Sequence, residues 1–72
     1  MKVKIEVKCT YMKDLEKWFA SCHYKLDNNI IQGACFDEDR DVSIQQCIVD
    51  LQEKVKFAKE HPTEIIEIDL DV

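Results

Sequence analysis

Residues 12–26 read MKDLEKWFASCHYKL, and the fold turns on which of two periods they follow. As a helix they offer the stripe Met12, Leu15, Phe19, Cys22 and Leu26. As a strand from Trp18 they place Trp18, Ala20, Cys22, Tyr24 and Leu26 on one side, with Phe19, Ser21, His23 and Lys25 on the other. Periodicity alone does not separate the two. The aromatic content favours the strand. So does the following Asp27-Asn28-Asn29, because Asp and Asn tolerate the left-handed conformation that a tight hairpin demands. On that reading Met12 to Lys17 is a polar connection and Ile30 to Phe36 is the returning strand.

Toward the N-terminus, Lys2 to Tyr11 alternates strictly. Val3, Ile5, Val7, Cys9 and Tyr11 point one way; Lys2, Lys4, Glu6, Lys8 and Thr10 point the other. This predicts a half-buried strand. Toward the C-terminus, Ser43 to His61 predicts one amphipathic helix. Ile44, Cys47, Ile48, Leu51, Val55 and Ala58 form a single stripe at helical spacing. Ser43 is read as the N-cap, with Gln46 completing a capping box and Val42 and Cys47 placed for a hydrophobic staple. Pro62 ends the helix, since the residue before a proline is pushed out of the α region. Asp50 and Lys54 are a helix-spaced pair with the acid first, the better order. Glu64 to Val72 alternates again, with Ile66, Ile68, Leu70 and Val72 opposite Glu67, Asp69 and Asp71.

The expected architecture is therefore α+β in the order β-β-β-α-β, one domain over residues 1–72. A three-stranded antiparallel meander carries the helix on one face. The last strand returns beside the first by a right-handed crossover. The Lys-rich outer face of the first strand (Lys2, Lys4, Lys8) and the acidic face of the last favour that pairing.

Seventy-two residues build one small core, marginal without help from a dimer, a partner or a metal. The net charge of −5 argues against a nucleic-acid-binding surface and for a basic protein partner. No apolar run approaches the ~20 residues of a membrane span and no signal peptide is recognised, so the cytoplasm is the expected compartment. The four cysteines, Cys9, Cys22, Cys35 and Cys47, sit on or near apolar stripes and read as buried free thiols.

The stretch Trp18-Phe19-Ala20-Ser21-Cys22, then Ile31-Gln32-Gly33, then Ser43 opening an amphipathic helix, resembles HicB-like antitoxin domains. The resemblance implies a partial ribonuclease-H-like fold and a non-catalytic module that binds a small basic ribonuclease toxin. The chain departs from that pattern in three ways. A longer acidic segment, Ala34 to Val42, replaces the family's short helix lead-in. His23 and Tyr24 stand where a proline often follows the second strand. No DNA-binding unit follows the last strand, so the family's DNA binding is not expected here.

Asp37, Glu38, Asp39 and Asp41 suggest a two-metal nuclease cluster only superficially, because such sites draw ligands from separated elements. Four acids beside a helix N-terminus are explained by the macrodipole, and they also suit a charged partner. No Cys-x-x-Cys pair supports zinc. Cys22 and His23, adjacent on a strand, point to opposite faces and cannot share a metal or form a nucleophile pair. Phe19, Ile31 and Ile65 are expected on the sheet face away from the helix, with Phe19 and Ile31 near enough to form an apolar patch. His23 is a solvated surface histidine or a pH-sensitive contact.

The expectation is a non-enzymatic, cofactor-free protein-binding module, with a homodimer left open. Its contacts are Asp37, Glu38, Asp39, Asp41, Phe19, Ile31 and His23. The competing expectation is a phage- or plasmid-type inhibitor of a nucleic-acid-processing complex that presents acids where a nucleic acid would sit. A metal-dependent hydrolase remnant is a third.

Overall fold

A computed structural model describes residues 2–72 and resolves the 12–26 stretch as a strand. The elements are β1 (Val7–Met12), β2 (Lys17–Leu26), β3 (Asn29–Asp37) and α1 (Arg40–Glu60), the strands forming one antiparallel sheet in the order β1-β2-β3. Leu26 pairs with Asn29, leaving Asp27 and Asn28 as the hairpin turn, and Asp27 takes the left-handed conformation at φ 55°. A short polar loop joins β1 to β2. It is closed by Leu15 N–H donating to the Met12 carbonyl at 3.1 Å, with Glu16 also left-handed at φ 52°. β1 is shorter than the alternation of residues 2–11 predicts. Continuing its register past Val7↔Cys22 would set Lys4 opposite Lys25, and like charges directly opposite are destabilising.

The helix packs on the face formed by alternate residues of all three strands. Ala20, Cys22, Cys47 and Leu51 are buried, flanked by Val7, Cys9, Tyr24, Ile31, Cys35, Ile44 and Val55. The stripe read from the sequence is the buried one. Val49 and Phe57, off that stripe, are exposed. The core is made of small residues, so helix and sheet come close. The tightest point is Gly33, paired to Cys22 on β3 and lying directly beneath Cys47 and Leu51.

The helix begins a turn earlier than expected. Its N-cap is Asp39, whose carboxylate accepts from the amides of Asp41 at 2.9 Å and Val42 at 3.1 Å. Ser43 does not cap. It lies inside the first turns, fully buried, with its hydroxyl donating to the Arg40 carbonyl at 2.6 Å. Val42, the expected staple, is 41% exposed. An ionised Asp satisfies the first amides better than a hydroxyl can, and the earlier start extends the favourable ladder. Asp39→Ala is expected to cost about 1 kcal/mol, read as a lowered midpoint in chemical denaturation.

Two helix side chains close the outer edge of β3. Asp50 accepts from the Ala34 amide at 3.1 Å, Lys54 donates to the Gln32 carbonyl at 3.0 Å, and the two are ion-paired at 3.0 Å. The lysine first, and the amide second, hold the Asp50 carboxyl below its ordinary value of 3.8.

The expected fourth strand is not formed. Residues 62–72 make no sheet pairing among the described residues, and Ile66, Ile68, Leu70 and Val72 are all exposed. The chain leaves the helix beside the β2–β3 hairpin, where Asn29 donates to the Thr63 hydroxyl at 2.8 Å. That is the opposite edge of the sheet from β1.

Candidate partner-binding surface

The expected contact residues fall on three different parts of the molecule. The acidic segment connects β3 to α1 at one end of the sheet. Two of its carboxylates are occupied in building the helix start. Asp37 accepts from the Asp39 amide at 2.8 Å, and Asp39 is the cap. Asp41 is exposed and meets only its neighbour Arg40, at 3.2 Å. Glu38 is exposed beside them. The segment therefore divides into acids that build the helix start, Asp37 and Asp39, and exposed ones, Asp41 paired to Arg40 in the first helical turn and Glu38 without a partner among the described residues.

The open sheet face carries Phe19, as expected, but not Ile31. Ile31 pairs with Tyr24 and packs against the core on the helix side. The reason is register. With Asp27 and Asn28 as the turn, odd-numbered residues of β3 lie opposite even-numbered residues of β2, and both point at the helix. The aromatic partner of Phe19 is instead Phe36, directly opposite in register, with ring centroids 4.6 Å apart at 38°. Phe36 is 49% exposed. The hairpin arithmetic carries this pairing, since a two-residue turn at 27–28 sets Phe19 against Phe36. Ile65 is in no strand; it lies in the tail beside the hairpin.

His23 is exposed on the same face, opposite Gln32. It stands four residues along β2 from Phe19, roughly 13 Å at the strand rise, so the two do not form one contact. The surface that the fold does assemble is the Phe19–Phe36 pair with Asp37, Glu38 and Asp41 following Phe36 in the chain.

The thiols are internal. Cys22 and Cys47 are buried with their sulfurs 3.1 Å apart, and Cys47 also donates to the Gly33 carbonyl at 3.5 Å. Burial, and then the hydrogen bond to Cys22, push the Cys47 thiol from 9.0 up to about 12. A thiol held protonated is a poor nucleophile and a poor metal ligand. Among the described residues, no three His, Cys, Asp or Glu side chains converge on a metal position.

Because the folded state favours the neutral Cys47 thiol, its contribution to stability is complete below about pH 9 and is lost as pH rises toward 12. Alkaline denaturation of the parent should accordingly set in earlier than that of Cys47→Ala, each measured against its own stability at pH 7. At pH 8, a thiol-reactive chromogenic disulfide should titrate the part-exposed Cys9 and Cys35 first. Cys22 and Cys47 should follow only at the rate of unfolding.

No protein-family model, curated protein or solved structure matches this chain.

Proposed function

We propose that this chain is a non-enzymatic acidic protein-binding module, antitoxin-like or inhibitor-like, that takes a basic protein partner in the cytoplasm. The observation that carries the reading is the Phe19–Phe36 pair on the open sheet face, a half-buried ring against an exposed one, followed in the chain by the exposed acids Glu38 and Asp41. An aromatic anchor followed by exposed acids suits a partner with a basic rim around an apolar pocket. The net charge of −5 supports it by steering encounter with a cationic surface. The HicB-like pattern at Trp18 to Cys22 and Ile31 to Gly33 favours the same class. In this reading Glu64 to Val72 supplies a fourth strand at the β1 edge.

The test is co-purification from the native host, followed by a Glu38→Lys/Asp41→Lys variant and, separately, Phe36→Ala. These positions spare the cap, so the fold is retained. Charge reversal should slow association about tenfold or more at low salt, with the difference shrinking as salt rises. Phe36→Ala should speed dissociation. An unchanged association rate for the charge variant, or equal capture of unrelated basic proteins, sinks the reading. Competition by DNA or RNA for the captured partner would identify it as a nucleic-acid-processing protein.

A further inference from the structure

We infer that two copies of this chain exchange their C-terminal segments, Glu64 to Val72 of each pairing along the open β1 edge of the other. The inference rests on the fourth-strand placement above and not on the identity of any partner.

The tail has the alternation of a strand whose one face is meant to be buried, yet Ile66, Ile68 and Leu70 are 76%, 78% and 75% exposed. The molecule is correspondingly spread out. Its radius of gyration is 16.2 Å, where a compact chain of this length has about 11 Å. Its accessible surface is 6591 Å², where a folded monomer of this mass exposes about 4,700 Å². The excess, roughly 1,900 Å² per chain, reflects the unpaired tail, and covering even half of it in each of two copies would reach the size of a stable dimer interface.

The β1 edge is the more open to a strand. On β3, Asp50 and Lys54 already take the outward Ala34 amide and Gln32 carbonyl at the middle of the strand. The β1 edge has no such cover among the described residues, and beside the segment leading into it a groove of about 590 Å³ opens between helix and sheet, lined by Val3, Ile5, Tyr24, Ile48, Leu51 and Val55. A strand laid there would drop one row of side chains into the groove, as Ile66, Ile68 and Leu70 require. Its other row, Glu67, Asp69 and Asp71, would lie beside Lys4 and Lys8 on the outer face. The charges match on the face where the spacing puts them.

Reach favours a second copy, which can pair the whole segment, over the chain's own tail, which would keep only about its last five residues. Thr63 is tied to Asn29 at the β3 side of the hairpin. From there to a position outside β1 is three strand spacings, roughly 14 Å. Crossing it would consume at least about four residues at the rise of an extended chain. Ile66 and Glu67 would then be spent on the crossing, and less than the full segment would remain to pair. A neighbouring copy takes all of it.

The experiment is sedimentation equilibrium or light scattering on the full chain from micromolar to hundreds of micromolar. The expected species is a dimer of about 17 kDa, twice the 8.5 kDa chain. Ile68→Lys/Leu70→Lys should give a monomer that keeps its helical circular dichroism, since both side chains are exposed within one copy. Lys4→Glu/Lys8→Glu should weaken the dimer tenfold or more. Mixing it with Glu67→Lys/Asp69→Lys should restore both strand contacts as a mixed dimer, because each tail then meets an edge of opposite charge, while either variant alone pairs like with like. A monomer at all concentrations overturns the inference, and protected amides over residues 64–72 in that monomer would assign the tail to its own sheet. A dimer indifferent to both pairs of substitutions overturns it equally. Either result leaves the partner-capture experiment standing on its own terms.

Discussion

Gly33→Ala is expected to destabilise the protein by about 3 kcal/mol or more, the largest effect of any single methyl group in the chain. A Cβ built on Gly33 meets the Cys47 carbonyl oxygen at 2.7 Å, the Leu51 Cβ at 2.8 Å and the Leu51 nitrogen at 2.9 Å. Two of these three atoms are helix backbone. No rotamer change can relieve the clash; the helix must lift from the sheet. Lifting it uncovers the whole buried cluster, because Cys47 and Leu51 are the helix's share of that cluster. Gly33 does not have positive φ, so the requirement is for space and not for an unusual backbone conformation. A chain of this length has a total stability of about 4–11 kcal/mol. The variant should therefore melt roughly 12–24 °C below the parent, or be partly unfolded at 25 °C. Thermal unfolding followed by circular dichroism measures this. A melting point within about 4 °C of the parent would mean that the helix is not seated on Gly33.

Leu51→Ala is expected to cost about 3 kcal/mol through the opposite defect, a cavity in place of a clash. Leu51 is 4% exposed and is the largest apolar side chain among the four core residues, the others being one alanine and two cysteines. So small a cluster has little else to collapse into the gap. The control is Val49→Ala on the same helix, where the side chain is 41% exposed; that change should stay below about 1 kcal/mol. Equal losses at the two positions would disprove the assigned helix face. The Leu51 variant should also expose Cys47 to thiol reagents earlier, since local opening and thiol access share one packing surface.

The helix stripe was legible because its period is a local property. Ile44, Cys47, Leu51 and Val55 point one way whatever lies beneath them, and those are the residues that face the core. The strand reading of residues 17–26 was legible from its aromatics and from the turn residues Asp27 and Asn28. The helix start was misjudged because two sound caps, Asp39 and Ser43, lie four residues apart. Only the loop geometry after Asp37 chose between them, leaving Ser43 buried under the sheet and near the Cys9 thiol at 3.7 Å. In the candidate site, the acidic segment and Phe19 were found in the sequence. The division of the acids into those that build the helix start and those that do not, and the Phe36 pairing, were not, because both depend on hydrogen bonds and register between elements.

By itself, then, the sequence determined the three meander strands, the helix and its face, the hairpin and the acidic balance, all consequences of side-chain period and turn chemistry over short distances. Only the tertiary structure decided that Ile31 packs inward while Phe36 joins Phe19, since one residue of register moves every side chain to the other face. It alone showed why position 33 is a glycine, because that depends on a helix fourteen residues away resting on it. It also showed Glu64 to Val72 unpaired within one copy. A period-two pattern says that a strand wants a partner, but it does not say which edge is free or which chain can reach it.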